Sequence, residues 1–154
     1  MKQESIHERY MRLALKEAKI AAAAGEIPVG AVLIRQGEVL GRGHNLRQAS
    51  HSALAHAEVL AIEEACQRCG DWRLDGCDLY VTLEPCAMCA GAVINSRISR
   101  VFYGAPDPRE GAVCGVLRLF DLPYGCRPDY EGGVLAAECK ALLDTFFTRQ
   151  RKKG

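Results

Sequence analysis

Between residues 79 and 104 the sequence alternates in a way that leaves few folds open. A short β-rich run (79–83) is followed by a stretch of small, helix-compatible residues (86–95) and a second β-rich run (100–104). Strands joined through a helix lie parallel in one sheet, because only a crossover of this kind returns the chain to the same edge in the same direction. The rest of the pattern is built around this unit. Ser5 and Glu8 have capping-box spacing, and Tyr10, Leu13, Ala14 and Ala18 follow at helical intervals, predicting a helix over 5–24 that ends at Gly25. Residues 29–34 and 38–43 flank Gln36-Gly37 as a hairpin. Val59, Leu60, Ile62 and Ala65 place a helix over 55–69, after a polar loop at 48–52. Beyond a Pro- and Gly-containing loop come a weakly helical segment at 116–121, an edge strand at 129–134 and an amphipathic helix over 135–151. The expected fold class is therefore α/β, a single mixed sheet of about five strands sandwiched by helices, in one domain over residues 1–154.

Composition excludes several alternatives. With 49% hydrophobic and 25% charged residues over 154 positions, the chain has the makeup of a packed globular domain and needs no disulfide or metal merely to fold. Twenty Lys and Arg against 19 Asp and Glu give a net charge of +1, so binding of nucleic acid by bulk charge is excluded and only a local basic surface remains. The C-terminus supplies one in Arg149, Arg151, Lys152 and Lys153, which serve equally as a solvated helix end whose cations complement the macrodipole. No run approaches the length of a membrane span, and residues 1–19 carry charges where a signal peptide has an apolar centre. No membrane partner is expected, and the expected location is the cytoplasm, where eight cysteines point to ligation or catalysis before disulfides. Gly41-Arg42-Gly43 lacks the third glycine and the βαβ setting of a dinucleotide loop.

Two Cys-x-x-Cys pairs then have to be told apart. Cys86 and Cys89 open a helix directly after a strand, with Pro85 at the helix start, and the positive end of that helix favours their thiolates. Cys66 and Cys69 fall late in an amphipathic helix. The sixteen residues between Cys69 and Cys86 nevertheless suit a structural four-cysteine zinc site, against which stands a reading of the first pair as small core residues. The alternative third ligand is His56, at the start of the 55–69 helix. One imidazole with two thiolates leaves the fourth tetrahedral position of zinc to water, the arrangement of a catalytic site. Glu58 is too far round a regular helix to ligate beside His56, yet close enough to move that water's protons.

His-x-Glu followed by Pro-Cys-x-x-Cys is the known signature of the zinc nucleobase deaminases. At these residues the chain resembles the bacterial tRNA-specific adenosine deaminase family. The matching stretches are Glu26-Ile27-Pro28-Val29-Gly30-Ala31-Val32, Asn45, Ala55-His56-Ala57-Glu58 and residues 79–98, with a Phe-rich basic final helix carrying Phe146-Phe147-Thr148-Arg149. The resemblance implies a cytidine-deaminase-like three-layer fold and a homodimer. It also implies hydrolysis of adenosine to inosine at the wobble position of a tRNA anticodon stem-loop. It assigns one Zn2+ per subunit to His56, Cys86 and Cys89, an activated hydroxide that attacks C6 of adenine, and proton transfer to Glu58. It places Asn45 and Asp107 beside the substrate, although Asp107-Pro108 is also ordinary turn chemistry. Family members often carry Asp-Pro-Thr where this chain has Ser52-Ala53-Leu54, so the contacts of that loop differ. Deaminases of free bases such as guanine or cytosine share the zinc motifs, and a requirement for polynucleotide substrate separates the two.

Overall fold

The computed structural model describes residues 3–153. Ser5 starts α1 (Ile6–Ala23) by the expected reciprocal cap, its Oγ accepting from Glu8 N at 3.1 Å while Glu8 Oε1 accepts from Ser5 N at 2.9 Å. The hairpin follows as β1 (Gly30–Arg35) and β2 (Glu38–His44), turning through Gln36 and Gly37, both left-handed in φ as a two-residue type I′ loop requires. A one-turn helix, α2 (Arg47–Ser50), occupies what the polar sequence predicted as loop. Then come α3 (Ala57–Cys69), β3 (Asp78–Leu83), α4 (Ala87–Asn95) and β4 (Arg100–Ala105). A 3-10 turn at Leu119–Asp121 is all that forms of the weak helical segment. β5 (Asp129–Glu131) is shorter than the predicted edge strand, because Gly132 and Gly133 end it, and α5 (Ala136–Lys153) closes the chain.

The five strands form one mixed sheet in the order β2-β1-β3-β4-β5. β1 is antiparallel to both neighbours, whereas β3, β4 and β5 are parallel, as the crossover at 79–104 demands. Helices α1 and α5 pack on one face and α3 on the other, with α4 beside it. The central strands are buried on both sides, so Ala31, Val32, Leu33, Leu79 and Val81 are fully enclosed. Truncating Leu33 to Ala would cost about 2–5 kcal/mol.

Two strand glycines bring α3 close to the sheet. A Cβ on Gly41 would lie 2.2 Å from the Ala61 carbonyl oxygen, and one on Gly43 would lie 2.2 Å from that of Ala57. The helix backbone therefore rests on bare strand, which fixes its first turn. The N-termini of α3 and α4 both emerge at one end of the sheet, and that end carries the site.

Candidate metal centre and its two walls

His56 is the residue before α3 and Cys86 the residue before α4; both have the extended backbone of a helix N-cap. Pro85 thus stands one position before the cap, not inside the first turn as the sequence suggested, and its carbonyl accepts from Ala112 N at 2.8 Å. Cys89 sits a turn into α4 and is buried. His56 Nδ1 lies 3.6 Å from Cys86 Sγ and 3.4 Å from Cys89 Sγ. Among the described residues, these three make the one group whose possible ligand atoms all lie within 4.8 Å of one another. Tetrahedral bonds of zinc to nitrogen and sulfur hold those atoms about 3.5 Å apart, so the spacing fits the ion. Cys66 and Cys69 lie outside the group, which removes the four-cysteine arrangement.

The electrostatics point the same way. Hydrogen bonding from Cys89, helped against burial by His56, pulls the Cys86 thiol down to about 3. Its bond to Cys86, with burial, holds Cys89 up. One proton is thus shared by two thiols, and a divalent cation in its place allows both to be thiolates. The contact with Cys86 raises His56 above an ordinary imidazole, with burial opposing. Glu58 is 4% exposed, and burial pushes it up to about 7, with its side chain within reach of Cys89. A carboxyl that gains and loses a proton near neutrality is suited to shuttling one.

Asn45 follows β2 and is buried. Its Oδ1 accepts from Arg47 N at 3.0 Å, which leaves the amide hydrogens of Nδ2 as its free donors. Asp107 follows β4, and its Oδ1 accepts from Arg109 N and Glu110 N, both at 3.1 Å, the turn chemistry its sequence context allowed.

Two carboxylates that sequence reasoning did not single out hold the segments bearing these residues. Glu26 accepts from Gln48 N at 3.0 Å and Ala49 N at 2.8 Å, fixing α2. Glu84 accepts from Asp107 N at 3.0 Å and from Val113, Cys114 and Gly115 N at 3.1, 2.8 and 2.9 Å. Burial alone would raise Glu84, but these donors outweigh it and hold the carboxyl below its ordinary range. The available signal was an acidic residue wedged between a β-rich run and Pro85.

This fold and this trio define a zinc-binding deaminase. The family model for the cytidine and deoxycytidylate deaminase zinc-binding region matches residues 4–105, and the chain belongs to that family. Within it, the chain is 48% identical over 147 residues to the tRNA-specific adenosine deaminase of Bacillus subtilis (strain 168), covering 95% of this chain and 91% of that one. A solved structure from a study of A-to-I editing by tRNA A34 deaminases at the wobble position of transfer RNA superposes with a TM-score of 0.85. It is 44% identical and covers 88% of this chain and 99% of its own. The guanine deaminase of Bacillus subtilis, at 37% identity and a TM-score of 0.64, covers 82% of this chain and 85% of its own.

Proposed function

We propose that this protein hydrolyses adenosine to inosine at the wobble position of a tRNA anticodon, as a cytoplasmic homodimer whose catalytic domain spans residues 1–154. The observation that carries the reading is the placement of buried Glu58 beside the His56, Cys86 and Cys89 cluster, in a chain 48% identical to a tRNA-specific adenosine deaminase. His56 Nδ1 and the two thiolates would hold the zinc. When bound, zinc supplies Lewis acidity that makes a water acidic enough to lose a proton near neutral pH.

Glu58 takes a proton from the attacking water as the C6–O bond forms, and passes one to the adjacent ring nitrogen. The same carboxyl then takes the remaining proton from the new C6 hydroxyl and delivers it to the departing amino group, so that the C6–N bond breaks, the C6 carbonyl forms and ammonia leaves. Nδ2 of Asn45 donates to an acceptor on the extruded nucleotide, since its Oδ1 is occupied by Arg47 N. Asp107 acts from the rim, with its carboxylate steadied by Arg109 and Glu110.

The polynucleotide reading draws support from the surface near that rim. Arg109, Asp144, Phe147, Thr148, Gln150 and Arg151 line a single hollow, joining the loop after β4 to the basic end of α5, with the Asp144 carboxylate paired to Lys140 at 2.7 Å. Cations beside an exposed aromatic ring suit phosphates and unstacked bases. Among the described residues no helix is long and apolar enough to cross a membrane.

The test is nucleoside mass spectrometry on a transcribed tRNA with adenosine at the wobble position, incubated with zinc-loaded protein beside free adenosine, guanine, cytosine and cytidine. Inosine in the tRNA alone is expected. Products from the free bases with the tRNA untouched would move the protein to the small-molecule branch, where the guanine deaminase relative stands.

A further inference from the structure

The loop from Asp107 to Gly115 buries Ala112 and Val113 in the core and lies against a metal-ligating residue. Gly111 bridges to Cys86, and Ala112 N donates to the Pro85 carbonyl. Its amides are gathered by one side chain. Three of its successive amide groups, at Val113, Cys114 and Gly115, converge on Glu84 Oε2, and Asp107 N reaches Oε1 from the other end. Glu84 is 3% exposed and forms no ion pair among the described residues. The loop is thus folded as an anion-binding nest, and the anion is supplied by the chain itself. The fit leaves no room for more. A Cβ on Gly111 would lie 2.3 Å from the Glu84 carboxylate, and one on Gly115 would lie 3.2 Å from Oε2.

We propose that Glu84 is a positioning residue for substrate: its carboxylate fills this nest and thereby sets the Asp107–Gly115 wall of the pocket against Pro85 and Cys86. The residue leads directly into the strand-to-helix turn that presents Cys86, so the substrate-facing wall and the metal ligands are indexed to one point of the sheet. Loss of the carboxylate releases the wall, while His56, Cys86 and Cys89 keep their own supports in α3 and α4. Binding of substrate therefore suffers more than the chemical step. This inference rests on the proposed tRNA reading only for its kinetic arm.

The experiment compares wild-type protein with Glu84→Ala, with and without added formate, which is small enough to occupy the vacated nest; formamide, isosteric and uncharged, is the control. In Glu84→Ala, amide exchange at Val113, Cys114 and Gly115 should rise about tenfold or more under conditions where the sheet stays folded, with zinc content unchanged. KM for the tRNA should rise about tenfold with a smaller change in kcat, and formate but not formamide should reverse both effects. Unchanged exchange in the loop, equal rescue by formamide, or loss confined to kcat or zinc would overturn the proposal. If Glu84→Ala does not fold, Glu84→Gln tests the same contact, because it keeps the side chain's shape while removing the charge and turning one acceptor into a donor facing the loop amides. It must raise the same exchange rates and the same KM, and an unaltered loop there would be equally decisive. If wild-type protein leaves the tRNA unmodified, the proposed function fails, while exchange and its rescue by formate still decide the role of Glu84.

Discussion

Glu58 and Glu84 are the same residue at nearly the same solvent exposure, 4% and 3%, and both lie in sequence between the metal ligands His56 and Cys86, each two positions from one of them. Their chemistry nevertheless diverges. Burial raises Glu58 to about 7, whereas Glu84 is held below the ordinary range although burial opposes it. The difference lies in depth and in the backbone, Glu58 being enclosed more deeply by protein than Glu84. Four N–H groups from one loop converge on Glu84, while Glu58, inside the first turn of α3, is met by its own N–H and the thiol of Cys89. A buried carboxylate saturated with donors is a fixed structural anion; one short of donors is a proton carrier. Solvent exposure alone does not distinguish them.

The largest expected effect breaks the comparison on the Glu58 side. Glu58→Ala should lower kcat by about 10²–10⁴, the usual share of a general acid-base group, while zinc content stays at one per chain. Its unfolding free energy should not fall, since the substitution also removes a poorly solvated carboxyl. Turnover at the wild-type rate would refute the assigned role.

On the Glu84 side the dominant loss should be stability. Glu84→Ala orphans four amide groups, each worth about 1–3 kcal/mol when buried and unsatisfied, and water entering the space relieves part of that. Denaturant unfolding should show a loss of about 3 kcal/mol. Glu26 provides the graded control. It is 2% exposed and accepts from two amides instead of four, so Glu26→Ala should cost about half as much. Equal losses for the two variants would mean that the number of donors does not set the strength of these anchors.

The same contrast explains what was legible in the sequence. The metal ligands and Glu58 lie in short local motifs at helix starts, where spacing fixes geometry, and the parallel part of the sheet follows from its crossover. Glu84 and Glu26 were not legible as anchors, because their partners are backbone groups 23–31 and 22–23 positions away, and a backbone amide has no residue identity to read. For a related reason α2 was missed: its helical turn is imposed by Asn45 and Glu26 accepting from its amides, not by any apolar period in Arg47-Gln48-Ala49-Ser50. β5 was overextended because Val134 is buried by contacts of the following turn, its N–H reaching the Tyr103 carbonyl at 3.1 Å, not by continuing the strand.

The smallest expected effect carries the comparison from carboxylates to thiols. Cys66-x-x-Cys69 repeats the spacing of Cys86-x-x-Cys89 but lies in the last turn of α3, where carbonyls and not amides are left free. Burial, followed by the neighbouring Cys69, pushes the Cys66 thiol up, and its Sγ sits 3.5 Å from the Trp72 carbonyl oxygen, a donor's position. Arg35 approaches Cys69 Sγ at 3.1 Å. Neither thiol is aimed at a shared point, so replacing both with Ala should leave one zinc per chain and cost about 1 kcal/mol or less, as at other partly exposed positions. Metal analysis of the double variant beside Cys86→Ala makes the contrast direct: the first should retain zinc and activity, the second should lose both. Loss of zinc from the first would show that position along a helix does not separate the two pairs.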